Sequence, residues 1–419
     1  MSPGNATASP SRFRWRADPP PEARRLRLLA LRGKNLPDAA YIDSCRSLLM
    51  RGDPVADDLA AWFEREGWAN ARRQLDTALS EGIAAVPDPA PELQAMMAQI
   101  ERRPAWLDER LLHIGARALR RVGPLGSLAL RDVALMGGYG NAAINKPLMF
   151  TGSLHQGAAR RTVETRSFWV DVTREGALER GEKGFRSAIH VRMMHGVLRH
   201  RIHRHPEWSD DAWGVPINQG DMLATNLAFS LVFMTVMRAM GFQFSREERQ
   251  AILHFWRYVG YLMGIDEDIL VTSEAEGFRY LYSVLMSQPE PDQDTRALAL
   301  SLMNEPYEQL GDGAGRRARL WAEVHLRAHN GMSHLFLGDA AYRNLGLPRG
   351  RRWDWFPLAL IPLVLGSEVC RLVLPGGTRR FAGWGGKWQV SWLARRLRNR
   401  PAEFRPVERL AGSMRASEH

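Results

Sequence analysis

The stretch from Val191 to His200 reads Val-Arg-Met-Met-His-Gly-Val-Leu-Arg-His. On a helix, residues three and four apart share a face, which sets His195 beside Arg192 and Arg199. An imidazole there can give one nitrogen to a metal while the guanidinium groups meet carboxylates. Haem requires that combination: an axial nitrogen for iron and cations for its two propionates. Met193, Met194, Val197 and Leu198 make the surroundings apolar. A histidine in such a place is either a hydrogen-bonded core residue or a buried ligand, and spacing alone leaves both readings open.

A second constellation runs Arg160-Arg161-Thr162-Val163-Glu164-Thr165, followed by Arg166-Ser167-Phe168-Trp169. Arg161 and Thr165 stack at i, i+4, with Phe168 and Trp169 extending that side. A guanidinium, a hydroxyl and aromatic rings suit an oxygen-handling pocket over a porphyrin. The alternative is an ordinary amphipathic helix in which Arg161 pairs with a carboxylate and Thr165 bonds back to its own turn. Glu164 has two readings as well. In apolar surroundings it would be a distal acid or base with a raised pKa, and on the surface a partner for Arg160 or Arg161.

Zinc is the rival metal, because histidines crowd at 190, 195, 200, 203 and 205. No His-Glu-x-x-His pattern occurs, and Arg199, Arg201 and Arg204 interleave the later histidines. These are expected to form a solvated helix end, where positive charge complements the macrodipole. His325, His329 and His334 read as a helix surface. Asp221 reads as an N-terminal helix charge, and Trp256 and Tyr261 as core. Gly138 and Gly140 follow no strand and precede no Gly-Lys-Ser/Thr, so a phosphate loop is not expected.

Together, Arg161-x-x-x-Thr165 and Arg192-x-x-His195-x-x-x-Arg199 resemble the signature of the MpaB-type and latex-clearing (rubber) oxygenases. The resemblance continues through Trp213 to Thr225 and Phe255 to Gly264, in order, and covers roughly residues 115 to 340. It implies a largely helical protein with a globin-like core and one b-type haem. By that resemblance His195 matches the proximal iron ligand, Arg161 and Thr165 match polar residues near the haem, and Arg192 or Arg199 meets a propionate. It also implies dioxygen-dependent cleavage of an isoprenoid double bond. Two departures stand out. Glu164 occupies the place where the best-known rubber oxygenases carry a lysine, and no Asp or Glu lies between Asp132 and Glu164, where they carry a glutamate base. Rubber is therefore not the expected substrate. A non-catalytic haem sensor or carrier with the same pocket is the alternative function.

The elements that must position these residues read as helices. Helix formers with 3.6-residue periodicity fill 26–31, 39–50, 57–80, 91–100, 108–121 and nearly everything from 157 to 337, and no alternating strand pattern of useful length appears. Ser245 followed by Glu248 predicts a capping box for a helix through Ala251 to Gly264, and another helix start is expected at Pro216 to Asp221. The fold class is all-α, a globin-like helical core with additional N- and C-terminal helices. Residues 1–18 are expected to be a flexible N-terminus, 19–104 a helical extension, 105–375 the haem-binding oxygenase-like domain, and 376–419 a basic Trp/Arg-rich tail.

Composition bounds the partners. The chain has 419 residues, 45% hydrophobic, with a formal charge of +11 and cysteines only at Cys45 and Cys370. Two cysteines exclude a disulfide framework and a thiolate zinc site built from this chain alone. The basic charge is spread along the chain without a nucleic-acid motif, so nucleic acid is not an expected partner. The apolar windows Leu223–Met237 and Phe356–Gly366 are expected to be core helices, not transmembrane segments. Met1 to Asp18 lacks the apolar core of a secretory signal, and a cytoplasmic location is expected. Trp384 to Arg400 alternates bulky apolar and basic residues. It is expected either to lie in an anionic headgroup layer at the inner face of the membrane or to pack on the body with snorkelling arginines. The expected substrate is a hydrophobic small molecule.

Overall fold

Helix starts along the chain are set by short polar side chains that satisfy exposed backbone N–H groups. Asp38 accepts from the Tyr41 N–H, Asp53 from Ala56, Asp108 from Arg110 and Leu111, and Asn218 from Asp221. The expected capping box is present, with Ser245 and Glu248 each bonding the other's backbone. The computed structural model describes residues 9–32, 34–150, 158–310, 313–350 and 352–397.

The helices are α1 (Pro21–Leu29), α2 (Ala39–Ser47), α3 (Pro54–Glu66), α4 (Trp68–Glu81), α5 (Pro91–Glu101), α6 (Glu109–Arg121), α7 (Gly123–Ala129), α8 (Met136–Gly138) and α9 (Ala142–Phe150). They continue with α10 (Ala158–Val172), α11 (Lys183–His203), α12 (Asp210–Trp213), α13 (Gln219–Leu227), α14 (Phe233–Ala239), α15 (Arg246–Leu262) and α16 (Glu274–Ser287). The last are α17 (Gln293–Glu308), α18 (Arg316–Asn344), α19 (Trp355–Val373) and α20 (Gly377–Arg396). No strand occurs among the described residues, and the chain is all-α. Two π-helical segments, Leu130–Leu135 and Ala228–Val232, join α7 to α8 and α13 to α14, and they pack against each other. The helix expected across 57–80 is broken at Gly67, whose φ of 83° ends α3.

The α6 and α15 helices form the most extensive pairing, and α11 packs against both α3 and α10. Leu59, Phe63, Leu75 and Met96, all before residue 104, belong to one buried cluster with Met193, Val197 and Phe255. Helices α3 to α5 therefore share the main core, while Ala23 of α1 packs in a separate cluster with Tyr282 and Met286. Residues 1–8 and 398–419, the outer parts of the expected flexible N-terminus and basic tail, lie outside the described residues.

One expectation is corrected here. The window Phe356–Gly366 is not core: α19 exposes Leu358, Leu363 and Leu365 and buries chiefly Pro357, Val364, Glu368 and Arg371. Composition cannot separate an inward from an outward apolar helix. By length and hydropathy both Gln219–Ala239 and Trp355–Val373 could cross a membrane, but the first is largely interior and the second only 22% buried.

Candidate functional site

His195 lies on α11, which approaches α3 so closely that a Cβ on Gly196 would strike the Ala56 carbonyl. That approach brings α11 arginines onto α3 carboxylates. The buried Arg192 forks onto Asp53, Nε to Oδ2 at 2.7 Å and Nη2 to Oδ1 at 2.8 Å, and Nη2 also donates to Gln99 at 2.7 Å. Arg199 donates to Asp57 at 2.5 Å and to the carbonyls of Pro216 and Ile217 at 3.1 and 3.0 Å. Gly264, with φ 83°, presses on the first pair, since a Cβ there would collide with the Asp53 carboxylate and the Arg192 guanidinium. Both arginines expected to meet a propionate thus hold protein acceptors, although the buried Nη1 of Arg192 has none. The arginines share a helical face as their spacing predicts, but their carboxylate partners lie about 140 residues upstream, Asp53 capping α3 and Asp57 in its first turn.

The half-buried imidazole of His195 has a buried Nδ1 without a hydrogen-bond partner, and the Nη1 of Arg192, three residues before it, is likewise buried and unpartnered. Burial, reinforced by the charge of Arg199 and opposed by Asp53, pushes the His195 pKa down to about 4. The ring is therefore neutral at physiological pH, the form that donates a lone pair to a metal.

The α10 helix packs against α11 and carries the second constellation. The Arg161 guanidinium lies 5.3 Å from the Tyr139 ring centroid and has no carboxylate ion pair among the described residues. Thr165 is partly buried, one turn before Trp169 on the same side. Trp169 anchors an aromatic layer, 4.6 Å from Phe233 and 5.2 Å from Trp256, and Trp256 stacks on Phe229. The Trp256 Nε1 is buried without a partner. Glu164 turns the other way, to Arg160 at 2.7 Å in a partly exposed i, i+4 pair. Its geometry is that of the surface partner, and the distal acid reading is set aside.

Several charged residues have unexpected surroundings. Asp132, fully buried on the first π segment, accepts from Arg131 at 2.6 Å and faces the His329 Nδ1 at 2.8 Å; Arg131 also donates to Glu305 at 2.7 Å. Burial and the Arg131 charge hold His329 below the ordinary histidine range. Burial raises the Glu305 pKa, but Arg131 outweighs it and keeps the carboxyl low. His329 is thus no helix-surface residue, and His334 lies between Asp339 and Asp354. The Arg-Asp pair inside the apolar run Leu128–Leu135 was the available signal, since adjacent opposite charges in an apolar helix imply buried pairing. Asp221 is likewise more than a helix charge, pairing with the buried Arg12 at 2.9 Å. The later α11 histidines do form the expected polar end: His200 meets Glu64 and His203 meets Asp210. Among the described residues no group of three or more His, Cys, Asp or Glu is arranged to hold a metal ion, which leaves the zinc reading without a ligand set.

Residues 120–364, more than half of the chain and including α10, α11 and the aromatic layer, match the family model described as ER-bound oxygenase mpaB/B'/Rubber oxygenase, catalytic domain. The chain belongs to this family. A similar MpaB/rubber oxygenase family member is the rubber oxygenase of Streptomyces sp. (strain K30), 25% identical over 256 residues; the match spans 59% of this chain and 61% of that protein. A solved structure of latex clearing protein LCP in the closed state shares the fold, with a TM-score of 0.61 at 19% identity over 80% of this chain and 90% of that one.

Proposed function

We propose that this MpaB/rubber oxygenase family member is a haem b-dependent oxygenase that uses dioxygen on a hydrophobic, isoprenoid-like or prenylated small molecule. The observation that carries the haem assignment is His195, a neutral imidazole with an orphaned buried nitrogen inside the family-matched region. An orphaned buried polar atom costs about 1–3 kcal/mol, so a place is kept for a partner. In this reading His195 holds the iron and Arg161, without a carboxylate ion pair among the described residues, meets a propionate. Thr165 offers a hydroxyl to the oxygen side. Trp169, Phe229, Phe233 and Trp256 exclude water and present an apolar wall to the substrate. Haem, when bound, supplies the redox chemistry that activates dioxygen.

The second reading, a haem sensor or carrier, is favoured by one observation. Glu164 points to Arg160, and Asp132 is engaged by Arg131 and His329, so neither of these carboxylates is free to act as base. The test has two stages. Protein purified after haem-supplemented expression should show a Soret band that His195→Ala abolishes, and colourless wild-type protein would sink both readings. Oxygen consumption with prenylated quinones and phenols then separates oxygenase from carrier.

A further inference from the structure

The α19 helix is held to the body along one narrow stripe and left bare elsewhere. On the stripe, Glu368 accepts from the Gln243 backbone N–H at 3.0 Å and pairs with Arg371 at 2.9 Å. Arg371 also donates to the Gln243 carbonyl at 3.3 Å and to the Thr378 hydroxyl at 3.1 Å. A helix tied by a buried ion pair at positions 368 and 371 lies on its domain, because extracting it would strand those charges. On the other side, every exposed residue from Trp355 to Pro375 is uncharged. Of the fifteen large apolar side chains exposed among the described residues, eight fall between Trp355 and Leu374, including Leu363 and Val373 at 70% and Leu372 at 66%. A continuous apolar strip about 28 Å long, at about 1.5 Å per residue, is not an ordinary solvent surface.

Charge indicates what covers it. Between Glu368 and Glu403 the sequence has eight Arg or Lys and no acidic residue. Arg379 and Arg380 are exposed just past the end of α19, Arg343 and Arg349 just before its start, and Lys387 and Arg395 line the outer side of α20 with the exposed Trp384. We propose that the outer face of α19, rimmed by these basic residues, seats the protein on an anionic lipid bilayer, with the apolar strip in the acyl boundary and the cations at the phosphates. A second copy of the chain fits poorly, since two such faces would oppose like-charged rims. The C-terminal segment is only partly available: α20 packs on α6, α7 and α10, and Trp392 lies under Arg166 at 4.1 Å. The seating element is therefore α19, with α20 supplying charge.

The structure provides its own probe site. Cys370 is exposed on the strip while Cys45 is buried, so a polarity-sensitive fluorophore on Cys370 reports that face alone. With phosphatidylcholine vesicles containing phosphatidylglycerol, the label should shift to the blue and be quenched by spin-labelled lipid. Leu363→Glu, an exposed position where folding is checked by circular dichroism, should weaken vesicle binding at least about tenfold, given a Glu placed in the acyl boundary. Arg379→Glu with Arg380→Glu should weaken it independently. Equal binding to phosphatidylcholine alone, an unquenched label, or a dimeric mass in lipid-free buffer with the label protected would each overturn the proposal. None of these readouts uses haem or substrate, so failure here leaves the proposed activity standing.

Discussion

At the scale of single residues, His195 and Glu164 differ in what holds them: the first has a buried Nδ1 without a partner, the second an ion pair with Arg160. Glu164 belongs to an exposed pair with Arg160, worth roughly 0.3–0.5 kcal/mol. Glu164→Gln should therefore leave the thermal midpoint, the haem spectrum and turnover within error of wild type; a changed Soret position would return it to the pocket. Acid sensitivity is set by His195, pushed down to about 4 by burial, together with other histidines. His190, His254 and His329 are all pushed below the ordinary value of 6.5, in each case first by burial. The unfolded chain takes up protons at these sites before the fold does. The stability they contribute is complete above pH 6.5 and is lost as pH falls from there toward their lowered values. Thermal midpoints measured from pH 7 to 5 should decline, and His329→Gln should flatten that decline.

At the scale of elements, α11 is aimed by α3. Replacing Asp53 with Ala strands a buried Arg192, a change that typically costs about 3–5 kcal/mol. Urea denaturation should register that loss, and haem retention should fall with it although Asp53 is no ligand. Gly196→Val should cost about 1–3 kcal/mol by pushing the helices apart at Ala56, and the same titration reads it. Most of these elements were legible in the sequence, because caps such as Ser245 with Glu248 act locally and periodicity marks each apolar side. The aim of the arginines was not legible. Spacing placed Arg192 and Arg199 on one face, but nothing within a few turns reveals that Asp53 and Asp57 wait opposite. The outward placement of α19 was hidden for a related reason: an apolar helix has the same residues whether a core or a bilayer covers it.

At the scale of the whole molecule, the N-terminal helices are structural members of the site. Cutting before residue 105 would bare Met193 and Val197 and leave Arg192 and Arg199 without their carboxylates. Such a truncation should yield insoluble protein, and a soluble, haem-binding product on gel filtration would disprove that dependence. The clamp between α3 and α11 also bears on how the chain is made. Asp53 and Arg192 are 139 residues apart, so on the ribosome the carboxylates of α3 emerge long before the arginines that will cover them exist. A contact of such sequence separation forms late and slowly. During that interval the nascent chain carries an unfinished apolar surface, and the α3 side of the core can close only once α11 has been synthesised.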